Sequence, residues 1–89
     1  MTKTLVSIVI PCYNMGRYIL EALESISAQT YTNWEVIAVD DLGPKDGTED
    51  IVLAFAKKHP THRIEFIEHD KNKGVSAARN TGIKHAKGN

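Results

Sequence analysis

Two adjacent acids, Asp40 and Asp41, close the apolar run Glu-Val-Ile-Ala-Val and are the sharpest chemical feature of this 89-residue sequence. A carboxylate at a strand end accepts hydrogen bonds from a ribose hydroxyl or a base N–H. The same pair can instead divide between capping a turn and facing water. As a metal site it is weak, because two neighbouring acids lack a third ligand. Tyr13 follows an earlier apolar run and a proline; its ring can stack on a base and its hydroxyl can bond a phosphate or ribose, or it can pack within its loop. Residues 74–82 (Gly-Val-Ser-Ala-Ala-Arg-Asn-Thr-Gly) join glycine and small residues, which permit close backbone approach, to Arg79. That guanidinium suits a base or a diphosphate, or simply solvent.

The remaining reactive side chains argue against other chemistries. The four histidines, His59, His62, His69 and His85, show neither zinc spacing nor a cysteine partner and are expected at the surface. Cys12 has no His or acid placed with it, so a buried, inert thiol is expected. A single cysteine excludes an intrachain disulfide and points to a reducing compartment. Neither GxGxxG nor GxxxxGK[ST] follows the first apolar run, which removes the dinucleotide-binding Rossmann and P-loop classes.

Residues 5–10 (Leu-Val-Ser-Ile-Val-Ile), ended by Pro11, read as a strand buried on both faces. With Asn14 as N-cap, Ile19, Ala22, Leu23 and Ile26 recur at helical spacing and predict an amphipathic helix to about Gln29. Residues 35–40 form a second buried strand. A turn through Gly43, Pro44 and Gly47 leads to a helix capped by Thr48, with Glu49 and Asp50 in its first turn, Lys57 and Lys58 in its last, and Pro60 beyond. Residues 63–68 are a third, more polar strand suited to an edge. Val75, Ala78, Gly82, Ile83 and Ala86 mark a third helix with a small-residue face, closed by Gly88-Asn89. This alternation is α/β: a three-layer fold with a mainly parallel sheet, β-α-β-α-β-α in chain order and 3-2-1 in space. In such sheets ligands bind beyond the carboxyl ends of the strands, which singles out the loops at 11–17, 40–48 and 68–76.

Composition is that of an ordinary single domain, 42% hydrophobic and 25% charged. No apolar run approaches the roughly 20 residues that span a bilayer, and no signal-peptide pattern is present. Net charge is zero, but from Lys71 to Asn89 there are five Lys or Arg and no acid. No aromatic residue interleaves with these bases, so nucleic acid is not the expected partner.

Together these segments resemble the N-terminal part of the family 2 glycosyltransferases. The matching stretches are Val6-Ser7-Ile8-Val9-Ile10-Pro11-Cys12-Tyr13-Asn14, Leu20-Glu21-Ala22-Leu23-Glu24-Ser25-Ile26, Ala28-Gln29-Thr30-Tyr31 with Asn33-Trp34-Glu35, Val39-Asp40-Asp41, Asp46-Gly47-Thr48, and Asn72 through Ile83. The resemblance implies a GT-A fold, whose Rossmann-like first half binds the nucleotide of an activated sugar. By position, Pro11 and Tyr13 would line the nucleotide pocket, Asp41 would bond the base, usually uracil, and Asp40 would support the loop or the ribose. Gly74 and Arg79 would belong to the segment that closes over the nucleotide. The family usually runs Asp-Asp-Gly-Ser-Thr-Asp-Gly-Thr after the second strand. Here the text from Asp40 to Thr48 is one residue longer and includes Pro44.

The same resemblance implies an inverting hexosyltransferase of polysaccharide biosynthesis. It would use a nucleotide-sugar, a UDP-sugar first, and a glycan or lipid-linked acceptor, with Mg or Mn in the full-length enzyme. A cytoplasmic site is expected, at the inner membrane face if a further segment attaches it. The DxD acids and the catalytic base lie beyond Asn89 in this pattern. Residues 1–89 are therefore expected to supply nucleotide-binding loops only, with no catalytic residue, no bound metal and no activity alone. A non-catalytic or degenerate nucleotide-binding module is the alternative. A phospho-receiver domain fits poorly, since its first strand would end in acids rather than Pro11. Without a fourth strand, residues 5–10 would be an unguarded apolar edge, and self-association through it is expected.

Overall fold

The computed structural model describes residues 4–12, 16–29, 31–41, 47–71 and 73–88, without the side chains of Gly16, Arg17 and Val75. In chain order the elements are β1 (Val6–Cys12), α1 (Gly16–Ala28), β2 (Trp34–Asp40), α2 (Thr48–Lys58), β3 (Ile64–Glu68) and α3 (Val75–His85). The strands are parallel in the order β1-β2-β3, as the alternation and the polar third strand predict.

Alternation along β2 divides the core. Trp34, Val36 and Ala38 face Ile19 and Leu23 of α1 and Val52 and Phe55 of α2, while Ile37 and Val39 meet Ala78 of α3 on the other face. The result is helix, sheet and helix in three layers, with β2 buried along nearly its whole length. Both-face burial does not extend to β1, which is half-buried up to Cys12 because it is an edge of the described sheet.

Besides one-residue shifts at strand starts, three local differences from the sequence reading have a physical cause. β1 continues through Pro11, opposite Val39, to Cys12; an edge strand tolerates a residue without an N–H. Gly47, with φ at 84°, takes the N-cap position of α2, and Thr48 is the first helical residue. α3 ends at His85 with Ala86 as its C-cap. Gly88 does not cap it, since its amide donates to Ser7 Oγ at 2.8 Å. The small-residue face of α3 is explained at Gly82, where a Cβ would lie 2.3 Å from Val9 Cγ1. Asn14 and Asn89 lie outside the described residues.

Candidate functional site

Parallel register builds the site. Asp40 lies opposite Glu68 at the ends of β2 and β3, so the next residues, Asp41 and His69, emerge side by side. The ladder runs one step further: His69 N donates to Asp40 O at 2.8 Å, and Asp41 N to Cys12 O at 3.0 Å. Asp41 belongs by alternation to the face that carries Ile37 and Val39, which directs its carboxylate toward α3.

There the carboxylate collects three N–H donors from the described residues. Asp41 Oδ1 accepts from His69 Nδ1 at 2.9 Å and from the Lys73 amide at 2.8 Å; Oδ2 accepts from the Gly74 amide at 2.7 Å. The His69 and Asp41 side chains are each 5% exposed. Gly74 has φ 94° and ψ 163°, a region essentially reserved for glycine, and this aims its N–H at Asp41. The bond from His69, followed by that from the Lys73 amide, holds the Asp41 carboxyl below the usual carboxylate range despite the opposing effect of burial. On the far side of the imidazole, His69 Nε2 lies 2.8 Å from Thr81 Oγ1.

An aspartate, a histidine and a hydroxyl in line have the order of a nucleophilic triad. Acyl transfer would also need amides directed at a developing oxyanion, and the nearby Lys73 and Gly74 amides already donate to Asp41. The arrangement is a clamp that joins the ends of β2 and β3 to the start of α3.

Of the residues singled out by sequence, Asp40, Asp41 and Gly74 converge at the carboxyl end of the sheet. Pro11 reaches the same end on β1. Arg79 is exposed on α3, and Tyr13 lies outside the described residues, as do residues 42–46. Cys12 is a buried thiol in no disulfide, with its Sγ 3.4 Å from Ile10 O. The expectation of surface histidines holds for His85 and fails for the other three. His69 is 6% exposed because it serves Asp41 and Thr81. His59 and His62 are half-buried against aromatic rings, with the His62 ring 3.7 Å from that of Trp34. His69 and Thr81 are the site residues that sequence reasoning missed. The signal for His69 was its place immediately after β3, matching that of Asp41 after β2.

The described residues do not fit a metal site. Among them no group of three His, Cys, Asp or Glu can hold an ion, and both Asp41 oxygens are already engaged by N–H donors. No described helix is long and apolar enough to cross a membrane.

The sequence profile of glycosyl transferase family 2 matches residues 7–89. The chain belongs to this family. It is 40% identical to the glycosyltransferase GlyA of Streptococcus pneumoniae over 94% of this chain and 12% of that protein. Among solved structures it is similar to the mannosyltransferase PcManGT of Pyrobaculum calidifontis in complex with GDP-Man and Mn2+. That likeness has a TM-score of 0.87 and 32% identity, covering 99% of this chain and 26% of the other. TarS of S. aureus in complex with UDP matches with a TM-score of 0.81 and 31% identity, over 97% of this chain and 25% of the TarS chain. The fold is GT-A. The chain thus spans about a quarter or less of the length of these relatives.

Proposed function

We propose that residues 1–89 form the nucleotide-binding part of an inverting, nucleotide-sugar-dependent hexosyltransferase, and that a nucleoside diphosphate sits beyond the carboxyl ends of the three strands. The observation that carries this reading is the convergence of Asp40, Asp41 and the Gly74 backbone at that end, within a family 2 chain. Asp41 Oδ2 takes one N–H from the described residues, and a carboxylate oxygen can accept a second, such as that of a uracil ring. In this reading Asp40 serves the ribose, Pro11 and Tyr13 the wall of the pocket, and Arg79 the base or the diphosphate. The GDP-Man and UDP held by the two solved relatives support a nucleotide-sugar as the partner.

Sugar transfer also needs charge stabilisation at the departing diphosphate and a base for the acceptor hydroxyl. In this reading further chain supplies both, including the acids for a divalent cation such as the Mn2+ of the Pyrobaculum enzyme. Calorimetric titration with UDP, GDP and ADP tests the proposal. Weak, selective binding of UDP is expected, with no sugar transfer by these residues alone in the presence of manganese. Absence of binding by any of the three at millimolar concentration sinks the site assignment.

The exposed edge of β1 is, in the same reading, a pairing surface for a second copy. Val6 begins that strand, is 36% exposed and carries no charge that would guard the edge. Sedimentation at tens of micromolar should show self-association that Val6→Lys weakens. A wild-type species that stays monomeric there excludes the pairing.

A further inference from the structure

We infer that His69 is a positioning residue of the ligand site: its Nδ1–H is fixed on Asp41 and its Nε2 is fixed by the Thr81 hydroxyl. The ends of β2 and β3, the Lys73-Gly74 entry to α3 and Thr81 within that helix thereby keep one geometry for an incoming nucleotide. The ligand part of this inference rests on the function proposed above; the clamp itself rests on geometry alone.

The hydrogen-bond directions follow from the partners. An ionised Asp41 is only an acceptor, so the proton shared at 2.9 Å belongs to His69 Nδ1. In the neutral ring Nε2 then carries the lone pair, and Thr81, 2.8 Å away, is the donor. Thr81 directs its hydroxyl outward to the imidazole, whereas a mid-helix threonine commonly bonds its own preceding turn. The His69 backbone is tied as well, through its amide to Asp40 O at 2.8 Å. His69 therefore touches both residues of the pair, the Asp40 backbone carbonyl through its own amide and the Asp41 carboxylate through its ring.

Burial makes the ring hard to replace. With the Asp41 and His69 side chains each 5% exposed, bulk water is a poor substitute for a partner lost between them. Removing the imidazole takes one of the three described N–H donors from Asp41 and the acceptor from Thr81. The Lys73 and Gly74 amides then rest on a carboxylate that can turn. The backbone that would meet the nucleotide is thus set through a residue that need not touch it.

The first test uses the wild-type chain. Nitrogen-15 NMR of the His69 ring should find the neutral form as the Nδ1–H tautomer; an Nε2–H tautomer or an averaging ring overturns the inference. The second compares His69→Phe, which keeps a planar ring without polar atoms, with His69→Asn, which keeps a side-chain N–H. In His69→Phe, amide exchange at Lys73 and Gly74 should accelerate about tenfold while Lys87 and Gly88 keep their rates, and His69→Asn should recover part of the loss. UDP affinity, corrected for the folded fraction, should fall about tenfold in His69→Phe and less in His69→Asn. Unchanged exchange at Lys73 and Gly74, or unchanged UDP affinity in a folded His69→Phe, overturns the positioning role. Should His69→Phe not fold, Thr81→Val reports the same exchange rates. If the wild-type chain binds no UDP, the functional reading fails, and the tautomer and exchange rates still judge the clamp.

Discussion

The two ends of β2 solve the same problem with different chemistry. Glu35 and Asp41 bracket Ile37 and Val39 on the face that meets α3, and both are buried carboxylates held by backbone amides. Asp41 receives the amides that lead into α3. Glu35 receives the Lys87 amide at 2.7 Å just beyond the helix, and Gly88 is tied nearby through Ser7. The partners differ. At the amino end of the sheet Glu35 is paired with a permanent cation, Arg63, at 2.7 Å, which also bonds Glu65 and the His85 carbonyl. At the carboxyl end the described partners of Asp41 are a histidine and amides.

The difference teaches how α3 is held and where a ligand can enter. The described side chains of α3 offer the sheet little apolar surface: Ala78 is buried, Gly82 lies against Val9, and Ile83 is 63% exposed. Hydrogen bonds at both ends compensate for the thin apolar contact between them. The end that carries a fixed charge pair is satisfied and structural. The end that relies on amides and a histidine lies where α/β sheets receive their ligands.

Breaking the amino-end clamp should have the largest effect on stability. Burial pushes the Glu35 carboxyl up, but hydrogen bonds from Ser7, the Lys87 amide and Arg63 outweigh it and lower the carboxyl from 4.5 to about 2. That stabilisation is fully present above the unfolded value and is lost as pH falls through the window from about 4.5 to about 2. Glu35→Gln should cost about 2–3 kcal/mol in urea unfolding at neutral pH and flatten the acid dependence in that window. A cost below about 0.5 kcal/mol, the size of a plain surface change, contradicts the role given to this clamp. A smaller effect is expected between the two clamps. Gly82→Ala adds a methyl 2.3 Å from Val9 Cγ1 and should destabilise by about 1–2 kcal/mol, net of the alanine's better helix propensity. A stabilised variant shows that α3 has room to shift and is not pinned at both ends.

Much of the fold was legible, because strand and helix periodicities and their alternation are local signals. The strand order followed from the polarity of the third strand. Both-face burial of β1 was misread because apolar composition does not reveal whether a strand has a neighbour on each side. The Asp40-Asp41 pair and Gly74 stood out as residues that secondary structure does not need. His69, Thr81 and the Glu35 cluster did not, since each depends on register. Glu35 lies opposite Ser7, and Arg63 directly precedes Ile64, the partner of Val36. Only once register is fixed do Glu35 and Arg63, or Asp41 and His69, become neighbours. A glutamate inside an otherwise apolar strand was still a signal, because a buried charge requires a partner.

The central claim is that the carboxyl end of the sheet receives a nucleotide while the amino end only holds the fold. Amide NMR shifts during a UDP titration of the wild-type chain test it most directly. The account predicts shifts at Asp40, Asp41, Lys73 and Gly74, with Glu35, Lys87 and Gly88 left in place. Shifts confined to Glu35, Lys87 and Gly88, or none at either end at millimolar UDP, contradict it.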